Sequence, residues 1–131
     1  MTNSTLRNLL STVTSIALVG ASPKAHRPSY EVMQFLQEKG FKVYPINPVH
    51  SGKIILGEHV YSSLKEIPTQ VDMVDIFRNS EAAGEVCYDI LALPKKQQPT
   101  VIWMQIGVIN QQAAELMESN HFIVVMNECP K

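Results

Sequence analysis

The stretch Ser15-Ile-Ala-Leu-Val-Gly-Ala-Ser-Pro-Lys-Ala-His-Arg-Pro-Ser29 decides the fold of this chain. Its first part, Ser15 to Gly20, is a continuous apolar run stopped by glycine, which is typical of a buried strand. The second part, Ala21 to Ser29, predicts a loop that leads into a helix, because Pro28 suits a first helical turn. A strand, a loop and a helix in this order begin an alternating α/β pattern.

The pattern continues on both sides of this stretch. Leucines at helical spacing predict a short amphipathic helix before it, and a second helix is expected to end at Gly40. Further helices are predicted after a cap at Asn79 or Ser80, with Cys87 on the buried stripe, and after a cap at Asn110. Four more strands are predicted at 41–47, 71–77, 101–104 and 122–126. Residues 49–70 look irregular, with a short strand and a short helix around Ser63-Leu-Lys-Glu66, a capping-box match.

Apolar strands that alternate with helices indicate a parallel sheet covered on both faces. The expected fold class is therefore α/β, a Rossmann-like doubly wound, mostly parallel sheet with helices on both faces. A length of 131 residues predicts one domain, 1–131. The content of 45% hydrophobic and 18% charged residues excludes a disordered chain.

Charge and composition also limit the partners. Lys and Arg number 11 against 12 Asp and Glu, so the net charge of −1 provides no field to attract a nucleic acid. No apolar run has the length of a membrane span and no signal peptide is recognisable, so we expect a cytoplasmic protein that does not bind membranes. The cysteines Cys87 and Cys129 and the four histidines lack metal-ligand spacing, and no metal site is predicted.

In a doubly wound sheet, ligands bind at the carboxyl ends of the strands, where the strand order reverses. Four segments should therefore converge although they are scattered in sequence. They are the loop Gly20 to Ser29, Asn47-Pro48, Phe77-Arg78 and Trp103-Met-Gln-Ile-Gly107.

The first of these segments has the chemistry of a phosphate-binding loop. Gly20 and Ala21 let the backbone approach a phosphate, and the helix N-terminus beyond them supplies N–H donors and a positive dipole end. Ser22 adds a hydroxyl, while Lys24 and Arg27 add two positive charges. The alternative is that both charges are solvated surface residues, which is the usual state of lysine and arginine.

The dinucleotide fingerprint is missing. Ser22 occupies the place of the second glycine, and Asn47 stands where an acidic residue would hold the ribose of NAD. A neutral amide can hydrogen-bond a ribose without repelling a nearby phosphate. The loop therefore argues against NAD and leaves a phosphorylated ribose open.

No catalytic residue is predicted. Asp72 and Asp75 lie three apart on a strand, so they point to opposite faces and cannot form an acid–base pair. We expect Asp75 to bond a loop backbone and Cys87 to be a small core residue. No nucleophile with an adjacent base is placed in the predicted cleft.

The chain resembles the small stand-alone CoA-binding proteins, relatives of the nucleotide-binding domain of the succinyl-CoA synthetase α subunit. The match runs from about residue 15 to the end of the chain. Its motifs are Ile16-Ala-Leu-Val-Gly-Ala-Ser22, Arg27-Pro-Ser29, Val43-Tyr-Pro-Ile-Asn-Pro48, Leu56-Gly-Glu, Val60-Tyr61, Ile67-Pro68, Val71-Asp-Met-Val-Asp-Ile-Phe-Arg78, Trp103-Met-Gln-Ile-Gly107 and Val125-Met-Asn-Glu-Cys-Pro-Lys131. Glu128 stands where the family usually has arginine before the cysteine.

This resemblance implies a Rossmann-like fold that holds coenzyme A. By the resemblance, the diphosphate would contact the first loop, the adenosine would lie near the end of the second strand, and the ligand would cross the ends of the third and fourth strands. The residues implied are, in that order, Gly20, Ala21, Ser22, Lys24 and Arg27; Asn47 and Pro48; Phe77 and Arg78; and Gln105.

Three functions remain open from the sequence. The first, which we favour, is a module that binds CoA or an acyl-CoA without catalysis. The second is an enzyme, either a small NADP-dependent oxidoreductase or a CoA-transferring enzyme completed by a partner chain. The third is a partner subunit whose pocket has decayed. The sequence identifies no protein partner.

Overall fold

Five parallel strands form the central sheet of the computed structural model, which describes residues 2–131. Numbered along the chain, the strands are β1 (Ser15–Val19), β2 (Lys42–Ile46), β3 (Ile54–Ile55), β4 (Glu58–His59), β5 (Met73–Ile76), β6 (Val101–Met104) and β7 (Ile123–Val125). The sheet order is β2-β1-β5-β6-β7. From β1 the chain first builds outward to β2, and then continues in the other direction from β5 to β7. The strand order therefore reverses between β1 and β5, which is the switch point of a doubly wound sheet.

Helices cover both faces of this sheet, as predicted. They are α1 (Asn3–Leu10), α2 (Pro28–Glu38), α3 (Ser80–Ala92) and α4 (Gln111–Ser119). The side chains of Asn79 and Asn110 cap α3 and α4 by accepting from the N–H groups of Ala82 and Ala113. Both caps were expected, and Asn79 rather than Ser80 is the cap of α3. Pro28 is the first residue of α2.

The core has two parts because successive strand residues point to opposite faces. Ile16, Leu18 and Trp103 pack with α1 and α2, while Ala17 and Ile76 pack with α3 and α4. All five are fully buried. The prediction of strands that are buried on both faces is confirmed.

The segment between β2 and β5 differs from its prediction. It contains a two-stranded antiparallel hairpin of β3 and β4, where one short strand was expected. Leu64–Glu66 forms a single turn of 3-10 helix, and Ser63 makes no capping bond to the backbone. The hydroxyl of Ser63 instead donates to the carboxylate of Glu66 at 3.2 Å. The capping-box prediction was wrong because a three-residue turn gives the box no full helical turn to cap.

The roles of the two aspartates also differ from expectation. Asp72, not Asp75, bonds the backbone: its carboxylate accepts from the N–H and hydroxyl of Thr14, both at 2.8 Å, and from the N–H of Ser15 at 3.3 Å. Asp75 is fully buried, and neither of its carboxylate oxygens has a hydrogen-bond partner among residues 2–131. The expectation was wrong because Asp75 lies inside β5, beside Leu18 of β1 and Trp103 of β6, and not at the strand end where the loops begin.

Candidate functional site

The loop after β1 is wedged between the ends of the two neighbouring strands. The N–H groups of Gly20 and Ala21 donate to the carbonyl of Ile46 at the end of β2, at 2.9 and 3.2 Å. Gly20 has a φ of +94°, and a Cβ atom there would lie 2.1 Å from the carbonyl oxygen of Phe77. Only glycine fits this position, which brings the first loop against the end of β5 at the switch point.

A cavity of about 410 Å³ opens above this contact, and we call it the first cavity. Residues from three strand ends and from the start of α2 line it. All of the predicted site residues except Pro48 and Gln105 are among them: Gly20, Ala21, Ser22, Lys24, Arg27, Asn47, Phe77 and Arg78. The predicted convergence of the first three segments is thus found in the structure.

Three cationic side chains line the first cavity. Lys24 and Arg27 reach it from the loop and Arg78 from the end of β5, and none of the lining residues within 2–131 is acidic. The one ion pair within 4.0 Å in this described part of the chain joins Lys42 and Glu58, so none of the three cations is directly paired with a carboxylate there. In a chain with a net charge of −1, this local concentration of positive charge has the chemistry to attract an anion.

Neutral donors add to the charges. The hydroxyl of Ser22 accepts from the N–H of Lys24 at 3.2 Å, which leaves its own hydrogen free to donate. Arg27, the N-cap of α2, makes no side-chain capping bond. The N–H and hydroxyl of Ser29 have no partner among residues 2–131, although the residue is buried. The N-terminus of α2 therefore presents open donors to the first cavity.

Asn47 links two of the converging segments. Its side-chain N–H donates to the carbonyl of Ala21 at 2.9 Å, and its side-chain oxygen accepts from the N–H of Val49 at 3.0 Å. These bonds fix the first loop to the end of β2. One amide hydrogen and one lone pair remain, so a contact between Asn47 and a ribose stays a prediction. Pro48 lies beside it in an adjoining cavity of about 280 Å³ that also includes Gly20 and Arg78.

A larger cavity of about 660 Å³ continues from the first one along the strand ends, and we call it the second cavity. The two share Pro28, Phe77 and Arg78 as lining residues. Beyond this shared wall, Gln105 lines the second cavity. Gln105 is only 7% exposed, and its side-chain oxygen has no hydrogen-bond partner within residues 2–131. Together the cavities form one groove across the carboxyl ends of β1, β5 and β6.

Several lining residues were not singled out from the sequence. Ser29 and His50 line the first cavity, and Cys129 lines the second. The position of Ser29 directly after Pro28, in the first turn of a helix that follows a glycine loop, is a signal that would have found it. Cys129 belongs to the last motif of the family resemblance, but no local feature placed it at the groove, because its position depends on how the last segment crosses the sheet.

No helix in the described part of the chain is long and apolar enough to cross a membrane. Within residues 2–131, no group of three or more His, Cys, Asp or Glu side chains is arranged to hold a metal ion.

A family model described as a CoA binding domain matches residues 14–131. The chain is 32% identical over 126 residues to the uncharacterized protein YneT of Bacillus subtilis, covering 96% of this chain and 89% of that protein. It is also 40% identical over 67 residues to the α subunit of ADP-forming acetate–CoA ligase I of Pyrococcus furiosus. That match covers 47% of this chain and 14% of the ligase subunit.

Solved structures share the fold over almost the whole chain. A hypothetical protein from Pyrococcus horikoshii OT3 has a TM-score of 0.89 at 33% identity, covering 99% of this chain and 87% of that chain. A protein from Thermus thermophilus has a TM-score of 0.89 at 30% identity, covering 98% of this chain and 93% of that chain. The fold expected from the sequence is therefore also that of solved relatives.

Proposed function

The chain belongs to the family of CoA-binding domains, and on that premise we propose that it binds coenzyme A or an acyl-CoA without catalysis of its own. The observation that carries the proposal is the first cavity, where Lys24, Arg27 and Arg78 meet with no acidic lining residue among those described. Coenzyme A carries a diphosphate and a ribose phosphate. Such a ligand supplies the negative charges that this cavity lacks.

The parts of the ligand follow the shape of the groove. The diphosphate would lie on the first loop, where Ser22 and the N-terminus of α2 offer uncharged donors beside Lys24 and Arg27. The adenosine would lie near Asn47 and Pro48, at the end of β2. The extended pantetheine arm would cross Phe77 into the second cavity, which has room for it at about 660 Å³.

The polar groups of the first cavity support binding rather than catalysis. His50 is the obvious base, but its ring nitrogen Nδ1 contacts Nζ of Lys53 at 3.4 Å. No hydrogen bond joins His50 to Ser22 or Ser29 within the part of the chain that the structure describes. A nucleophilic mechanism needs such a pair of nucleophile and base.

Thermal unfolding in the presence of CoA, NAD and NADP tests this function. A ligand at a hundredfold excess over its dissociation constant stabilises the folded state by about 2.7 kcal/mol. We expect this stabilisation from CoA and little or none from NAD or NADP, because the second fingerprint glycine is absent for both and the carboxylate that would hold the ribose of NAD is absent as well. A larger effect from NADP than from CoA would instead favour the oxidoreductase, and no effect from any of the three would favour the decayed pocket.

A further inference from the structure

The second cavity contains a thiol at the end of the groove away from the cationic loop. Cys129 is half-buried and lines this cavity together with Gln105 and Ile106. A CoA molecule ends in a thiol, at the far end of its pantetheine arm from the phosphates. If the phosphates lie in the first cavity, the arm carries this thiol into the second cavity, toward Cys129.

Three hydrogen bonds hold the segment before Cys129 in place. The side-chain oxygen of Asn127 accepts from the N–H of Gly107 at 2.7 Å. The N–H of Glu128 donates to the carbonyl of Met104 at 3.3 Å, and its carbonyl accepts from the indole N–H of Trp103 at 2.9 Å. Both backbone groups of Glu128, its N–H and its carbonyl, therefore form hydrogen bonds to residues of β6. These bonds fix the position of the thiol of Cys129, the next residue.

A second feature of this cavity independently indicates a ligand. The side-chain oxygen of Gln105 is buried, lacks a donor within residues 2–131, and belongs to a residue that lines the cavity. A buried acceptor without a donor is destabilising, and a ligand that donates to it removes that cost. The pantetheine arm contains two amide groups, whose N–H donors match this acceptor.

We propose that Cys129 forms a reversible mixed disulfide with CoA bound in the groove. The inference rests on the proposed function, because CoA must first occupy the first cavity. It adds a covalent site to that function, and it makes the second cavity a place where the chain holds CoA in a redox-dependent way.

The reaction is a thiol–disulfide exchange with the symmetrical disulfide of CoA. The thiolate of Cys129 attacks one sulfur of the CoA disulfide, the bond between the two CoA sulfurs breaks, and a bond between Sγ of Cys129 and the attacked sulfur forms. The second CoA leaves as a thiolate and takes up the proton that Cys129 has lost. The sulfur of Cys129 is oxidised and that of the leaving CoA is reduced, so no other oxidant is needed.

Intact-mass spectrometry of the whole chain after incubation with CoA disulfide tests the proposal. We expect a mass gain of one CoA less two hydrogen atoms, located by peptide mapping at Cys129 and removed by dithiothreitol. Cys129→Ser should show no adduct. Cys87→Ser is the matched control and should form the adduct as the natural chain does, since Cys87 lies in the core on the opposite face of the sheet.

The rate at which Cys129 reacts with different disulfides shows whether the groove binds CoA disulfide beside the thiol or the thiol is simply exposed. Glutathione disulfide at the same concentration should react about tenfold or more slowly, because it is not held beside the thiol by the groove. Gln105→Leu should slow the reaction with CoA disulfide but not with glutathione disulfide. Equal rates for the two disulfides in the natural chain, or an adduct that maps to Cys87, would overturn the proposal.

A parallel titration with reduced CoA, in the presence of dithiothreitol, distinguishes the two levels of the inference. Calorimetric binding of reduced CoA, together with no adduct on Cys129 after the separate incubation with CoA disulfide, would remove the covalent site and leave the proposed function in place. Absence of calorimetric binding would contradict the proposed function itself, whatever Cys129 does with small disulfides.

Discussion

At the scale of single residues, Asp72 and Asp75 show how different surroundings shift the pKa of the same type of side chain in opposite directions, although the two lie only three residues apart. Burial alone would raise the pKa of Asp72, but the hydrogen bonds from Thr14 and Ser15 outweigh it and lower that pKa below 3.8. Asp75 is completely buried without a partner, and burial raises its pKa well above 3.8. Asp72 therefore stabilises the fold as an anion, whereas Asp75 is tolerated best as a neutral acid.

The two aspartates predict opposite pH dependences of stability. Because the pKa of Asp75 is raised on folding, the natural chain loses stability as the pH rises above about 4. Asp75→Asn removes this loss and should raise the free energy of unfolding at about pH 8 by about 1 kcal/mol or more, while matching the natural chain near pH 4. Urea unfolding at a series of pH values measures both.

Asp72→Asn is the matched control for this prediction. The pKa of Asp72 is lowered on folding, so its contribution is present above the unfolded value of 3.8 and disappears as the pH falls below it. The variant should therefore be less stable than the natural chain at about pH 8, with a gap that closes in acid. A pH-independent gain for Asp75→Asn would mean that the carboxylate is not the cause.

A second prediction at this scale concerns the cationic loop. Arg27→Ala should weaken CoA binding by about 1.5–3 kcal/mol, the scale of a charge-assisted hydrogen bond. Folding should hardly change, because the side chain is exposed and packs against little. Calorimetry with CoA measures the loss. Arg7→Ala removes an equally exposed cation from α1, outside both cavities, and an equal loss in the two variants would show a general charge effect instead.

At the scale of the elements, the groove depends on how closely β1 and β5 end beside one another. The loop after β1 passes within contact distance of the backbone of Phe77, which follows β5. The hydrogen bonds from this loop to Ile46 hold it equally close to β2. The first cavity is therefore shaped by three strand ends whose spacing is set by backbone contacts.

Gly20→Ala should disturb this arrangement. The new Cβ would overlap the carbonyl oxygen of Phe77, at 2.1 Å, and would also meet the strain of a φ of +94°. Gly40→Ala is a close control, because Gly40 has the same φ of +94° and nothing within 4 Å of its Cβ position. Backbone strain of about 1–2 kcal/mol should appear in both variants.

Only Gly20→Ala should lose a further amount of folding stability, about 1–3 kcal/mol, from the steric overlap, and only this variant should bind CoA more weakly. Chemical denaturation and CoA titration of the two variants separate these effects. Equal stability and equal CoA affinity in both variants would show that the close approach to Phe77 is not required.

At the scale of the whole molecule, the sheet separates two cores and places one cysteine on each side. Cys87 lies on α3 in the core that faces α3 and α4, with no exposed surface. Burial raises the pKa of Cys87 to about 11. Cys129 is half-buried beside the other core.

Native-state alkylation should distinguish the two sides. Cys87 should react with iodoacetamide only as fast as the fold opens, because its thiol is both covered and protonated. Cys129 should react in the folded chain, and CoA should protect it. Incubation with an acyl-CoA should leave no acyl group on either sulfur. Peptide-resolved mass spectrometry follows each site, and rapid native labelling of Cys87 would contradict its place in the core.

Much of this molecule was determined by the sequence itself. The strand that stops at Gly20, the start of α2 at Pro28 and the cap Asn110 were predicted correctly, and Asn79 was one of the two residues predicted to cap α3. These features follow from local periodicity and from the sterics of single residues, so a short window contains the information. The alternation of elements then limited the fold to a doubly wound sheet and located the candidate groove at its carboxyl edge.

The tertiary structure decided what depends on residues far apart in the chain. The sequence placed Arg78 near Lys24 and Arg27, but it did not show that no acidic side chain among those described joins them. It assigned the backbone contact to Asp75, although Asp72 makes it. It did not indicate that Cys129 lines the groove. Strand order and the packing of helices onto the sheet fix these contacts, and no local pattern encodes the distance between side chains on different strands.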